Sequence, residues 1–318
     1  MRWLAVLAGL LLVAPAAAQD WPSRNIRVIV PYPAGGPADF MGRLAAQKLQ
    51  EKLGVSVVVE NRSGASGTIG AETVRQSPPD GYTFLAAPVV HILGRQVVKA
   101  VPYDPVGDFT PIARYGEGPL VVLANPAAVT GKTLVEALPA IRNKPDDFRF
   151  GLSALGSPNH LAVLEFNKLT GLNLQIIPYR GSAPALTDLV SGQVQLMIDP
   201  IITALPLVQA GQLRALAVAS PRRSSVLPDI PTTAETGLPG LVSSSWYGLW
   251  GPKGLPKEIV ARVNAVLTEA AREPAVVERL ATLGFEPLSG TPEEFAAVIA
   301  SDLARHSALL ASIKFEPQ

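Results

Sequence analysis

The chain has 318 residues, 48% hydrophobic and 17% charged, with a formal net charge of +1. That supports a large core and suggests two domains. No dense Lys/Arg run forms the basic stripe of a nucleic-acid binder, and the absence of cysteine excludes disulfides, thiolate metal sites and a cysteine nucleophile.

Residues 1–18 read as a secretion signal. Met1-Arg2 is a short positive region, Leu4 to Val13 is apolar, and Ala16-Ala17-Ala18 fits the small-residue cleavage rule. Cleavage is expected after Ala18, leaving Gln19 first, and the loss of Arg2 leaves 26 basic and 26 acidic residues. The alternative, an uncleaved anchor, falls short of the about 20 apolar residues a bilayer span needs. An exported chain with no lipid anchor and no disulfide reads as a soluble periplasmic protein. At 6% the aromatic content does not favour a sugar-stacking groove. His91, His160 and His306 are far apart, so no metal site is expected, and His306 is expected on the surface.

In chain order, Ile26 to Val30 is an apolar strand. The Gly35-Gly36 turn follows, then a helix with Pro37 at its first position and Gly54 at its end. Val55 to Val59 is a second strand, a shorter helix carries Ile69, Thr73 and Val74, and Tyr82 to Ala87 is a third strand. Leu120 to Leu123 reads as a first crossing between lobes. The alternation then restarts, with helices at 134–141, 161–169, 183–190 and 202–210 and strands at 148–152, 174–177, 194–198 and 213–219. Ser244 to Trp250 reads as the returning strand, with Trp246 and Trp250 as hinge and core packing. Helices at 256–271, 275–283 and 291–313 complete the tail, the last opening on a Thr291/Glu294 capping box. The expected fold is α/β: two doubly wound lobes with mainly parallel sheets, lobe 1 from 19–122 plus 247–318 and lobe 2 from 123–246.

Four glycine-bearing junctions stand where strand runs give way to helix starts: Tyr32 to Asp39, Ser63 to Gly70, Gly156 to His160, and Tyr179 to Ser182. Such turns expose backbone N–H groups at the positive end of a helix dipole, an anion site that needs no charged side chain. Their distribution suggests two lobes closing on one small anion.

Read together, these stretches resemble the tripartite tricarboxylate transporter substrate-binding family, also called the Bug family of periplasmic receptors. The matching stretches include Trp21-Pro22, Tyr32-Pro33-Ala34-Gly35-Gly36-Pro37-Ala38-Asp39, Pro79-Asp80-Gly81-Tyr82-Thr83, Tyr103-Asp104-Pro105, Pro178-Tyr179-Arg180-Gly181 and Leu227-Pro228-Asp229-Ile230-Pro231-Thr232. The resemblance covers nearly the whole mature chain and implies a two-domain Venus-flytrap receptor for a dicarboxylate, an amino acid or an aromatic acid. It implies no cofactor, a monomer, and membrane subunits of a transporter or a signalling receptor as partners. Departures are Ser66 in the second glycine loop, Arg180 in place of a frequent lysine, and the apolar Pro88-Val89-Val90 before His91.

Carried over, the family's binding mode uses backbone N–H groups of Ala34, Gly35 and Gly36 and bridging waters for one carboxylate, with Ala38 and Asp39 in the helix turn behind. Ser66, Gly67 and His91 complete the first lobe's share. Gly156, Ser157, His160, Tyr179, Arg180 and Gly181 close from the second lobe, and Asp199 accepts from a ligand amine or hydroxyl or from a water. For His160 the competing role is capping or packing. A hydrolase using Ser153 and His160 is the rival reading, but Gly151-Leu152-Ser153-Ala154-Leu155 lacks the last glycine of a nucleophile elbow. Gly64, Gly67 and Gly70 also lack dinucleotide-loop spacing.

Overall fold

The structure, a computed structural model, describes residues 21–317. The leader, its cleavage site after Ala18, and Gln19 lie outside the described residues.

The first βα units form as their sequences direct. β1 (Ile26–Val30), β2 (Val57–Asn61) and β3 (Thr83–Pro88) pair in parallel in the order β2-β1-β3. Successive side chains of a strand point to opposite faces. Val28 and Val30 therefore pack with Met41, Leu44 and Leu49 of α1 (Pro37–Leu53), while Ile29 packs with Ala71 and Val74 of α2 (Thr68–Arg75). Pro37 opens α1, and Gly54 closes it in the left-handed conformation, φ 73°. After β3 the chain makes a 3-10 turn over Val89–Leu93 and the short α3 (Gly94–Val97).

β4 (Phe109–Ala124) is the longest described strand, at 16 residues. Its first part, Phe109 to Pro119, runs antiparallel to β9 (Ser244–Pro252), which also pairs antiparallel with β3. From Leu120 to Ala124 the partners become β7 (Leu196–Pro200) on one side and β8 (Arg214–Val218) on the other. β5 (Arg149–Leu152) and β6 (Gln175–Pro178) then extend the sheet in parallel from β7. The change of partners is locked by Leu120 N–H to Ser243 O at 3.1 Å and Ala219 N–H to Leu120 O at 2.8 Å.

Helices α4 (Leu134–Asn143), α5 (Pro158–Thr170), α6 (Ser182–Ser191) and α7 (Ile201–Gln209) serve the second half. The tail supplies α8 (Lys257–Ala270), α9 (Pro274–Ala281), the two-residue β10 (Glu286–Pro287) and α10 (Pro292–Ser312). The Thr291/Glu294 capping box of α10 is formed in both directions.

Two expectations change. The sheet is mixed, because the long crossing strands run antiparallel to their neighbours. His306 is buried, at 8% exposure, inside the packed face of α10. No described helix is long and apolar enough to cross a membrane.

Candidate ligand-binding site

Four helix starts meet at one cavity of about 120 Å³. Gly36, Pro37 and Ala38 bring the start of α1, and Ser157, Pro158 and Asn159 bring that of α5. Gly181, Ser182, Ala183 and Pro184 bring α6, and Pro200 caps α7. The first N–H groups of a helix have no partner inside it. Each start therefore offers donors and a partial positive charge to the same small space. Prolines, Val90 and Tyr247 make the remaining wall largely apolar, and among the described residues Arg180 is the one charged side chain lining it. Two outer compartments adjoin this cavity. One, of about 510 Å³, runs along Ser63 to Gly67 and Arg180. The other, of about 640 Å³, runs past Phe40, Leu186, Ile202 and Leu207.

The residues picked from sequence fall into four places. Ala34, Gly36, Ala38, Ser157, Arg180 and Gly181 line the central cavity. Ser66, Gly67 and Tyr179 line the 510 Å³ compartment, and Gly35 lines the 640 Å³ one. Behind the cavity wall stand Asp39, Asp199, Gly156, His160 and His91.

Each of the five that stand back has a physical reason. The N–H of Gly35 donates to Asp39 Oδ2 at 3.0 Å, so that amide is spent on the turn itself. Asp39 also takes Arg43 Nε at 2.9 Å and Asn61 Nδ2 at 2.9 Å. Burial pushes its carboxyl up, but these bonds from Arg43, Gly35 and Asn61 outweigh burial and hold it below its usual value. Asp39 thus shapes the Gly35-Gly36 turn from behind. Gly156, at φ 71°, lies so close to α3 that a Cβ there would stand 2.2 Å from Val97 Cγ2. Its N–H donates to His160 Nδ1 at 3.0 Å, and the His160 ring meets Phe315 edge-on at 5.3 Å. Burial lowers the His160 pKa to about 4, so the ring is neutral and acts as a brace for the turn. His91 sits among Phe109, Trp250 and Tyr103, with ring centroids 4.6, 4.9 and 6.3 Å away. The 3-10 turn after β3 sends Val90 to the cavity and His91 into the core, where burial lowers its pKa to about 3.

Asp199 is fully buried at the end of β7. It accepts from Asn159 Nδ2 at 2.5 Å, Ser182 Oγ at 3.0 Å and Thr203 Oγ1 at 2.5 Å. Burial pushes its pKa up to about 7, against the lowering effect of the bonds from Thr203, Ser182 and Asn159. Asn159, Ser153, Ser182 and Tyr247 face the cavity and were not singled out as ligand contacts from sequence. Asn159 and Ser182 were within reach of it, because each sits in a glycine junction within two residues of a helix N-cap.

Residues 41–315 match the tripartite tricarboxylate transporter family receptor (TctC). The chain belongs to that family. Its fold is the two-lobe α/β fold of periplasmic binding proteins, and the family is one of binding proteins. Among solved structures, this TctC-family chain is similar to R. palustris Rpa4515 with adipate: 35% identity, TM-score 0.90, covering 94% of this chain and all of that one. It is similar to MatC (Rpa3494) from Rhodopseudomonas palustris with bound malate, at 32% identity and TM-score 0.85 over 91% and 100% of the two chains. It is also similar to the periplasmic binding protein BugD, at 32% identity and TM-score 0.87 over 94% and 100%. As a TctC-family member the chain is a solute-binding receptor for transport.

Proposed function

We propose that this receptor captures a small carboxylate between its lobes in the periplasm, after removal of residues 1–18, and delivers it to the membrane subunits of a tripartite tricarboxylate-type transporter without chemical change. The observation that carries this reading is the meeting of four helix starts, contributed by both lobes, at one cavity lined by a single charged side chain among the described residues. A micromolar ligand needs about −8.2 kcal/mol net. One helix start supplies about 0.3–1 kcal/mol, and about 2 when partly buried. The rest comes from charge-assisted hydrogen bonds worth about 1.5–3 kcal/mol each, made by Ala38 and its counterparts on α5 and α6. A cavity of about 120 Å³ is small beside the roughly 300–1,000 Å³ of sites for drug-sized ligands. It suits an acid of a few carbons, in keeping with the adipate and malate held by two relatives.

The pairing of β4 and β9 supports a division of the chain at Pro119/Leu120 and Ser243/Ser244, with lobe 2 between them. On this division Ala34, Gly36 and Ala38 hold one carboxylate from lobe 1. Ser157, Asn159, Arg180 and Ser182 close over the ligand from lobe 2. A hydrolytic reading is not favoured: Ser153 Oγ is bonded to Asn159 and His160 Nδ1 to Gly156, so the two do not form a nucleophile–base pair.

A melting-shift screen of organic acids, amino acids, neutral sugars and metal ions tests the reading. Binding to the folded protein alone adds RT ln(1 + [L]/Kd), about 2.7 kcal/mol at a hundredfold excess over Kd. Acids are expected to raise the midpoint. A shift with sugars or metals only would refute the carboxylate assignment, and ester or amide turnover lost in Ser153→Ala would establish the enzyme instead.

A further inference from the structure

The hydrogen positions around Asp199 say more about the ligand than its charge. This step rests on the carboxylate reading above. Asp199 Oδ1 accepts from Asn159 Nδ2 and Ser182 Oγ, while Thr203 Oγ1 meets Oδ2 at 2.5 Å and Pro200 O at 2.8 Å, so a proton taken up by the carboxyl sits on Oδ2 and leaves Oδ1 an acceptor. Asn159 Nδ2 spends its second hydrogen on Ser153 Oγ at 3.0 Å. Turning the amide over would set its carbonyl oxygen against the carboxylate, so its orientation is fixed. Asn159 Oδ1 takes no hydrogen bond from the described residues. It is also absent from the sealed, unpartnered polar atoms, which among the described residues are His91 Nε2, Gln96 Oε1 and Tyr115 Oη. It therefore opens on the cavity that Asn159 lines. Ser182 has its one hydrogen pointed at Asp199 and shows only lone pairs to the same space.

We propose that Asp199 is a positioning residue that makes the second-lobe wall of the cleft a hydrogen-bond acceptor, and that the ligand is an organic acid carrying a hydroxyl or ammonium donor on its carbon chain. The carboxylate lies at the helix starts, where the donors are. The donor on the chain meets Asn159 Oδ1 and Ser182 Oγ. An acid without such a group leaves both oxygens unpaired once the lobes exclude water, and a buried polar group left without a partner is costly. Asp199 itself, behind Asn159 and Ser182, does not touch the ligand.

Calorimetric titration of the mature protein with three matched sets tests this: succinate, malate and aspartate; glutarate, 2-hydroxyglutarate and glutamate; adipate, 2-hydroxyadipate and 2-aminoadipate. Within the best-fitting length, the hydroxy or amino acid is expected to bind at least about tenfold tighter than its parent. Preference for the hydroxy acid identifies an uncharged donor, and preference for the amino acid an ammonium. A parent acid that binds as tightly as both of its derivatives overturns this proposal and leaves the carboxylate reading standing. No binding by any of the nine overturns this proposal, and a melting-shift screen in which no acid raises the midpoint overturns both. In Asp199→Asn the amide of Asn159 is released, and the ratio of parent to derivative Kd is expected to fall to within about threefold, whatever happens to the absolute values. A purely structural role would weaken all acids alike and keep the ratio. Ser182→Ala, which removes one acceptor and leaves Asp199 in place, provides the same readout if Asp199→Asn does not fold. An unchanged ratio in the folded variant overturns the role of the Asp199 cluster.

Discussion

Burial moves the histidines and Asp199 in opposite directions, and the two work against each other with pH. His91, His160 and His306 are lowered by burial from 6.5 to about 3, 4 and 4. The unfolded chain takes up their protons first, so the stability they contribute is complete above pH 6.5 and lost as pH falls toward about 4. Asp199 is raised from 3.8 to about 7, so the folded state favours its protonated form. Its contribution is complete below pH 3.8 and lost as pH rises to about 7. Thermal melts are expected to show Asp199→Asn losing stability more steeply than the parent between pH 6.5 and about 4, since the opposing slope is gone. A shallower slope in the variant would contradict the assignment. At Gly156 both backbone and space resist a side chain: φ is 71° and Val97 is 2.2 Å from the Cβ position. Gly156→Ala is expected to cost about 1–3 kcal/mol in denaturant titration, partly restored by Val97→Ala. A cost that Val97→Ala leaves untouched would place the strain in the backbone alone.

Helix starts cap the fold, and two of them separate capping from the proposed contact with the ligand. Ser157 caps α5 by accepting from His160 N–H at 3.2 Å, and it lines the cavity. Thr291 caps α10 by accepting from Glu294 N–H at 3.1 Å, far along the chain from any cavity-lining residue. Ser157→Ala and Thr291→Ala are each expected to cost about 1 kcal/mol of stability. Only Ser157→Ala should also weaken acid binding, as calorimetry would show; equal loss of binding in both would mean that the cap acts through stability alone. These starts were legible in sequence because each has its own punctuation: Gly-Gly-Pro before α1, Gly-Ser-Pro before α5, Arg-Gly-Ser before α6. The long β4 was not. Pro111, Gly116, Gly118 and Pro119 read as breakers, yet register shifts between Pro111 and Ala113 and between Arg114 and Gly116 carry the strand past them. His91 misled for a local reason: it follows a strand that ends at the cleft, and only the 3-10 turn decides that Val90 faces the cavity and His91 the core. Asp199 was found, but its place behind Asn159 and Ser182 depends on tertiary geometry that residue spacing does not encode.

At the scale of the molecule, two halves share β4 and are fastened again at the C-terminus. Phe295 and Ile299 of α10 are buried in one cluster with Trp246 and Trp250, and Leu161 of α5 joins it. Near its end Lys168 Nζ donates to Ser312 Oγ at 3.0 Å, and Phe315 meets His160. The C-terminal segment thereby braces the Gly156–His160 turn at the start of α5. Central to the account is that an organic acid is held by backbone donors at helix starts from both lobes, with charge as the deciding attribute. The most direct measurement is calorimetric titration with a linear four- to six-carbon acid and with its uncharged diamide of the same shape. The acid is expected to bind at least about a hundredfold tighter, because only a charged acceptor gains the stronger hydrogen bonds and the helix-end potential. A diamide that binds as tightly as the acid would contradict it.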